Sequence, residues 1–149
     1  MKVLGYSSYS NESQYASVLP AFKAVSEVVE KAQQNGDYGT DLQTLLIFYN
    51  FETDPDEFSG TNFLQKKIEV QRYNAREKSL RVNVFVGFDE LTNINYQRQI
   101  AFYYETTMKV VETVIQKFAR RPVRRHIELE KLYMDIKKSF LREFDWLKG

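Results

Sequence analysis

Between Gln65 and Phe88 the chain reads QKKIEVQRYNAREKSLRVNVFVGF, and over most of that stretch apolar and polar positions alternate with a period of two. That is the period of a β-strand buried on one side. Leu80, Val82, Val84, Val86 and Phe88 fall on one face, and Ser79, Arg81, Asn83, Phe85 and Gly87 on the other. Upstream, Leu64, Ile68 and Val70 share a face, while Glu69, Gln71 and Tyr73 take the opposite one. The pattern predicts two antiparallel strands joined by the polar turn Asn74–Lys78. In that register Tyr73 lies opposite Ser79, Val70 opposite Val82, Ile68 opposite Val84 and Leu64 opposite Phe88. A slip of one residue would put Lys67 and Glu69 on the apolar face, so the pairing is strongly specified. Lys66 alone violates that face, where its stem could lie along the sheet margin with the ammonium in water.

The flanking segments carry other periods. Residues 17–34, SVLPAFKAVSEVVEKAQQ, place Leu19, Phe22, Val25, Val29 and Ala32 on one helical stripe. Ser17 is a fitting cap, Pro20 falls in the first turn where a missing N–H is harmless, and Gly36 is a stop signal. Leu42–Phe51, LQTLLIFYNF, is apolar on both faces, the mark of a strand that is central or covered on both sides. Thr92–Arg120 reads as a long helix with Ile100, Tyr104, Met108, Val111, Ile115 and Phe118 in a stripe and Tyr103 beside it. Pro122 ends it, because the residue before a proline avoids the α region. A last helix over Val123–Trp146 aligns Leu129, Leu132, Ile136, Phe140, Phe144 and Leu147. So short a joint predicts an antiparallel helical hairpin or a sharp kink. Met1–Ser10 is either a short edge strand through Val3, Leu4 and Tyr6 or a frayed terminus. Together these predict one α+β domain over residues 1–149. It would have an N-terminal helix, an antiparallel meander of three strands (four with the N-terminal segment) and two long C-terminal helices packed on the sheet.

A chain of 149 residues without cysteine can build a core without staples and can form no disulfide, which fits a reducing compartment. No leader is visible, and no apolar run approaches the roughly 18 residues of a membrane span, so a cytoplasmic protein with no membrane partner is expected. The net charge of +1 conceals an asymmetry. Residues 1–60 hold three lysines against nine acids, leaving −6, and residues 61–149 hold 18 basic against 11 acidic side chains, leaving +7. The two halves either neutralise each other within one globule or form surfaces that face different partners.

Catalytic chemistry has little to draw on. The single histidine, His126, is flanked by Arg124 and Arg125, whose charges lower its affinity for a proton. There is no cysteine nucleophile, no nucleophile-elbow serine and no glycine-rich phosphate loop. Asp54, Asp56 and Glu57 resemble the opening of a calcium loop but lack its central glycine and closing glutamate. No catalytic residue, metal or cofactor is therefore assigned.

Two charged clusters remain. Glu52, Asp54, Asp56 and Glu57 lie in an acidic loop, Glu52–Asn62, beside an aromatic anchor, Phe58. They form either an ordinary polar turn or a negative rim for a basic partner. Lys117, Arg120, Arg121, Arg124 and Arg125 put five positive charges in nine residues around the Pro122 corner. The first three complement the C-terminal end of a helix dipole, whereas Arg124 and Arg125 begin the next helix and gain nothing in that way. Phosphate, nucleic acid or an acidic protein surface would be attracted there. The sheet's outer face would carry Phe85, Tyr73 and Tyr49, a binding face if exposed together and core if the first helix covers them.

Arg81–Phe88, RVNVFVGF, resembles the third-strand octamer of the RNA-recognition motif in its opening basic residue and closing F-V-x-F. Val82, Asn83 and Val84 depart from the glycine, the stacking aromatic and the small residue of that octamer, and no strand is predicted after the long helices. In size and layout the whole chain resembles the small α+β immunity proteins of bacterial toxin-based competition systems. That resemblance implies a cytosolic, non-enzymatic inhibitor of one cognate toxin, with Glu52, Asp54, Asp56, Glu57 and Phe58 as the contact surface. The alternative is a nucleic-acid or phosphate binder using Lys117–Arg125. The apolar stripes of the last two helices would equally support a homodimer.

Overall fold

A computed structural model describes residues 2–7, 19–33, 44–52, 65–118 and 123–148. The elements run β1 (Lys2–Ser7), α1 (Leu19–Ala32), β2 (Thr44–Glu52), β3 (Gln65–Val70), β4 (Ser79–Gly87), α2 (Phe88–Thr92), α3 (Tyr96–Phe118) and α4 (Val123–Glu143), closed by a 3₁₀ turn at Asp145–Lys148. The fold is α+β, but the sheet is mixed, with strand order β1-β2-β4-β3. β1 pairs with β2 in parallel, β2 pairs with β4 in parallel, and β3 alone is antiparallel.

This corrects the expected meander. The three strands after α1 keep the predicted up-down-up directions, but β4 lies between β2 and β3. The physical reason is in the side chains. Leu80, Val82, Val84 and Val86 are all completely buried, which suits β4 to a central place. β3 carries Lys66, Lys67 and Glu69 and a register irregularity between Gln65 and Lys67. Charges and bulges are the marks of an edge strand. The N-terminal segment is a strand, and α1 supplies the crossover that two parallel neighbours need.

The predicted register holds at Val70–Val82 and Ile68–Val84. It slips at both ends. Asn74, not Tyr73, bridges to Ser79, and Lys66 is the extra residue that the irregularity absorbs. Leu64 lies outside the described residues, and its predicted partner Phe88 leaves the sheet to begin α2. Two acids, Asp89 and Glu90, follow it. They suit the first turn of a helix and disfavour a strand. The hairpin loop is closed by Asn74 N–H to the Ser79 carbonyl at 2.9 Å and Ser79 N–H to the Asn74 carbonyl at 3.1 Å. Asn74 Oδ1 also accepts from the Glu77 amide at 3.0 Å.

One core lies between the sheet and the helices. Leu45, Ile47 and Tyr49 stand in register with Leu80, Val82 and Val84 on the face that α1, α3 and α4 cover. The predicted helical stripes are largely the observed ones. Val25, Val29, Ile100, Met108, Val111, Leu129, Leu132, Ile136 and Phe140 are buried, together with Ala21, Val28, Val110 and Val114. The last two helices form the antiparallel pair, with Tyr104 against Phe140 at 4.9 Å between ring centroids and the Tyr133 hydroxyl donating to Glu112 Oε1 at 3.2 Å. Three rings join α1, β2 and α3 edge to face. Phe22 and Tyr49 are 5.7 Å apart, Phe22 and Tyr103 5.8 Å, and Tyr49 and Tyr103 5.3 Å. Such pairs are worth about 0.5–1.5 kcal/mol each beyond their burial.

The long helix expected from Thr92 is broken. Asn95 caps α3, its Oδ1 accepting from the Arg98 amide at 2.9 Å. Gln99, buried to 3 % exposure, donates from Nε2 to the carbonyls of Leu91 at 3.0 Å and Ile94 at 3.3 Å. It thereby satisfies carbonyls that the end of a five-residue helix leaves open.

Two outcomes follow. Replacing Gln99 by Leu fills the space but strands those carbonyls, and should cost about 1–3 kcal/mol in urea unfolding, whereas the exposed neighbour Gln97→Leu should stay within about 0.5 kcal/mol. Burial pushes the Tyr49 phenol up to about 12 from 10.0, partly offset by a hydrogen bond with Thr107. Burial, with Tyr49 nearby, raises Tyr103 as well. The fold holds these protons more tightly than the unfolded chain does. The Tyr49 contribution is complete below pH 10 and is lost as pH rises from 10 through about 12, and Tyr103 adds a loss in the same direction above pH 10. Unfolding midpoints across that window should fall, with Tyr49 accounting for about 2–3 kcal/mol, and Tyr49→Phe should flatten the decline.

Candidate functional site

The acidic cluster is placed only at its start. Glu52 is the last residue of β2, in register with Gly87. Asp54, Asp56, Glu57 and Phe58 lie outside the described residues. The basic corner is placed at its two flanks. Lys117 is exposed in the last turn of α3. Arg124, Arg125 and His126 fall in the first turn of α4, and Arg120 and Arg121 lie outside the described residues.

Lys117 shows what the corner faces. Its Nζ donates to the Gln71 carbonyl at 3.2 Å, across 46 residues of sequence. That bond sets the end of α3 beside the β3–β4 hairpin loop. In the loop Arg72 and Arg76 are exposed and Lys78 is half-buried with a left-handed φ of 52°. Three further basic residues thus belong to the loop that begins beside Lys117. Sequence reasoning missed them because they sit in a turn distant in the chain, although the run QRYNAREK was itself a basic signal.

The expected aromatic face is divided by the sheet. Tyr49 points into the core at 3 % exposure, and Tyr73 packs against the core's edge. Phe85 is half-buried on the opposite face. That face is built from the alternate register of β2 and β4, where Leu46 pairs with Arg81, Phe48 with Asn83 and Asn50 with Phe85. Among the described residues no helix lies on it. The exposed Arg81 guanidinium stands 4.3 Å from the centre of the Phe48 ring, and its Nε donates to Asn83 Oδ1 at 2.9 Å. Glu69 continues the row on β3 in register with Asn83 and accepts from Gln71 Nε2. The result is an arginine held over an aromatic ring and hydrogen-bonded to the neighbouring Asn83 amide oxygen.

Among the described residues no group of three or more His, Cys, Asp or Glu could hold a metal ion, and no helix is long and apolar enough to cross a membrane. Of the apolar stripes of α3 and α4, Ile100, Met108, Val111, Leu129, Leu132, Ile136 and Phe140 are buried, and Tyr104, Ile115, Phe144 and Leu147 are half-buried. A double-mutant cycle over Arg81→Ala and Phe48→Leu, read by denaturant unfolding, should give a coupling of about 0.5–1 kcal/mol, as for a partly exposed cation–π contact.

Comparison of the chain with protein-family models, with curated proteins and with solved structures finds no match in any of the three.

Proposed function

We propose that this chain works by binding and not by turnover, as a cytosolic immunity protein that docks on one cognate bacterial toxin and neutralises it stoichiometrically. The observation that carries the reading is the sheet face that no helix covers among the described residues, where Arg81 stands over the Phe48 ring. Arginine and aromatic side chains concentrate at interface hot spots, and here the geometry is set before any partner arrives. An arginine already ordered by a ring and by Asn83 loses less side-chain freedom on docking.

The acidic segment supports the same reading. It starts at Glu52, where the outer register of β2 ends, and continues through Asp54, Asp56, Glu57 and Phe58. A negative rim would steer and hold a basic partner, such as the cleft of a nuclease toxin.

A second reading has its own observation. The Lys117–Gln71 bond sets the end of α3 beside the loop that carries Arg72, Arg76 and Lys78. Together with the basic run Lys117, Arg120, Arg121, Arg124 and Arg125 in the sequence, these residues suit nucleic acid or another polyphosphate.

Purified from its native host, the tagged chain is expected to carry one toxin domain at equal stoichiometry and to protect a sensitive strain from it. Asp54→Asn, Asp56→Asn and Glu57→Gln combined with Arg81→Glu should weaken that complex roughly a hundredfold, about 2.7 kcal/mol, with unfolding stability lowered only by the roughly 0.5–1 kcal/mol of the lost Arg81–Phe48 contact. Recovery alone, or undiminished affinity of the variant, refutes the proposal. Titration with duplex DNA and RNA separates the second reading. Binding whose log–log salt slope is about −0.9 per phosphate contacted on duplex DNA supports it, and no binding at low salt removes it.

A further inference from the structure

The two edges of the sheet are built differently. β3 forms one edge and β1 the other. An open edge offers a row of backbone N–H and C=O groups to any strand that arrives, so folded proteins blunt their edges with charge, proline or irregular pairing. β3 is blunted twice: it carries Lys66, Lys67 and Glu69, and its register shifts between Gln65 and Lys67. β1 has neither device. Its sequence, KVLGYS, holds one charge, at the first position, and no proline. Its pairing with β2 runs without a shift from Lys2–Thr44 to Ser7–Tyr49. Among the described residues no strand pairs with its other side.

The sequence of β1 is complementary to itself. A two-fold axis perpendicular to the sheet pairs two copies of the strand antiparallel and joins each face of one sheet to the same face of the other. Because successive residues alternate between faces, opposed residues must then share parity. Centred on Gly5, this pairing sets Leu4 of each copy opposite Tyr6 of the other and Val3 opposite Ser7. The two Lys2 residues stand at opposite ends of the ladder. Centring on Leu4 instead would set Lys2 against Tyr6. Within one chain Leu4 and Tyr6 are in register with Leu46 and Phe48, so the rows of the open face would run through β1 into the second copy.

We propose that β1 is a homodimer edge, at which two copies of this chain add strand to strand, antiparallel about Gly5, into one continuous sheet. The contact goes beyond toxin binding and does not depend on it. It is isologous and closes at two copies, leaving the blunted β3 edges outermost, where their charges oppose further growth.

Sedimentation equilibrium of the intact chain from micromolar to millimolar concentration tests this. The wild type should reach twice the chain mass. Leu4→Lys with Tyr6→Lys sets like charges opposite each other at both pairs and should weaken the dimer roughly tenfold or more. Leu4→Lys with Tyr6→Glu puts the same number of charges on β1 but opposes unlike ones, and should bind at least severalfold more tightly than the first variant. In the wild type, hydrogen exchange from the amides of β1 should slow as concentration rises, and exchange from β3 should not. A wild-type monomer throughout overturns the proposal, as does a dimer to which the two variants are equal. If the variants do not fold, concentration-independent exchange from β1 in the wild type overturns it alone.

Discussion

The parallel pairing of β2 with β4 is the constraint on which the rest of the architecture depends. It runs through nine register positions, from Thr44–Ser79 to Glu52–Gly87. Its inner rows, Leu45 with Leu80, Ile47 with Val82 and Tyr49 with Val84, are buried to 3 % exposure or less. Two parallel neighbours cannot be joined by a tight turn. The chain leaves β2, forms β3 at the far edge, and returns as β4 into the gap. β1 takes the other side of β2 through the α1 crossover, and α3 and α4 close over the inner rows. Loss of that central pair would leave β1 and β3 as separate edges with no common sheet.

The side chains on each face were legible in the sequence, and the order of the strands was not. Alternation assigned Leu80, Val82, Val84 and Val86 to the core and set Val70 against Val82 correctly. It says nothing about which strand lies beside which, because strands paired in either direction alternate alike. The missing information lay in composition. Lys66, Lys67 and Glu69 in a six-residue strand argued for an edge, and the doubly apolar TLLIFYNFE argued for a centre with a parallel neighbour on each side. The break before α3 was equally readable: Asn95 is a preferred cap, and the predicted apolar stripe begins only at Ile100, beyond it.

Of the candidate surfaces, sequence reasoning found the clusters that are contiguous in the chain and missed those assembled by folding. Glu52–Phe58 and Lys117–Arg125 are runs. The Arg81–Phe48 stack and the approach of Lys117 to Gln71 join residues 33 and 46 positions apart. Phe48 and Tyr49 show the difference most clearly. Adjacent and both aromatic, they differ only in parity, and parity has meaning once the neighbouring strands are known. Tyr49 became a core phenol raised by burial, while Phe48 became the platform under an exposed arginine.

The composition of the open face bears on what kind of contact it can make. Parallel strands are ordinarily covered on both sides, yet among the described residues the helices cover one side of β2 and β4. An obligate interface would be expected to expose a continuous apolar surface, like a domain core cut in half. Here Leu46, Phe48 and Phe85 are interleaved with Arg81, Asn83, Asn50 and Glu69, and each polar group in the row of Arg81 and Glu69 is already tied to a neighbour. A surface of that kind tolerates water when alone and can exchange water for a complementary polar partner without large rearrangement. On the proposed binding function, such a composition suits a complex formed between two folded proteins more than one formed between chains that fold together.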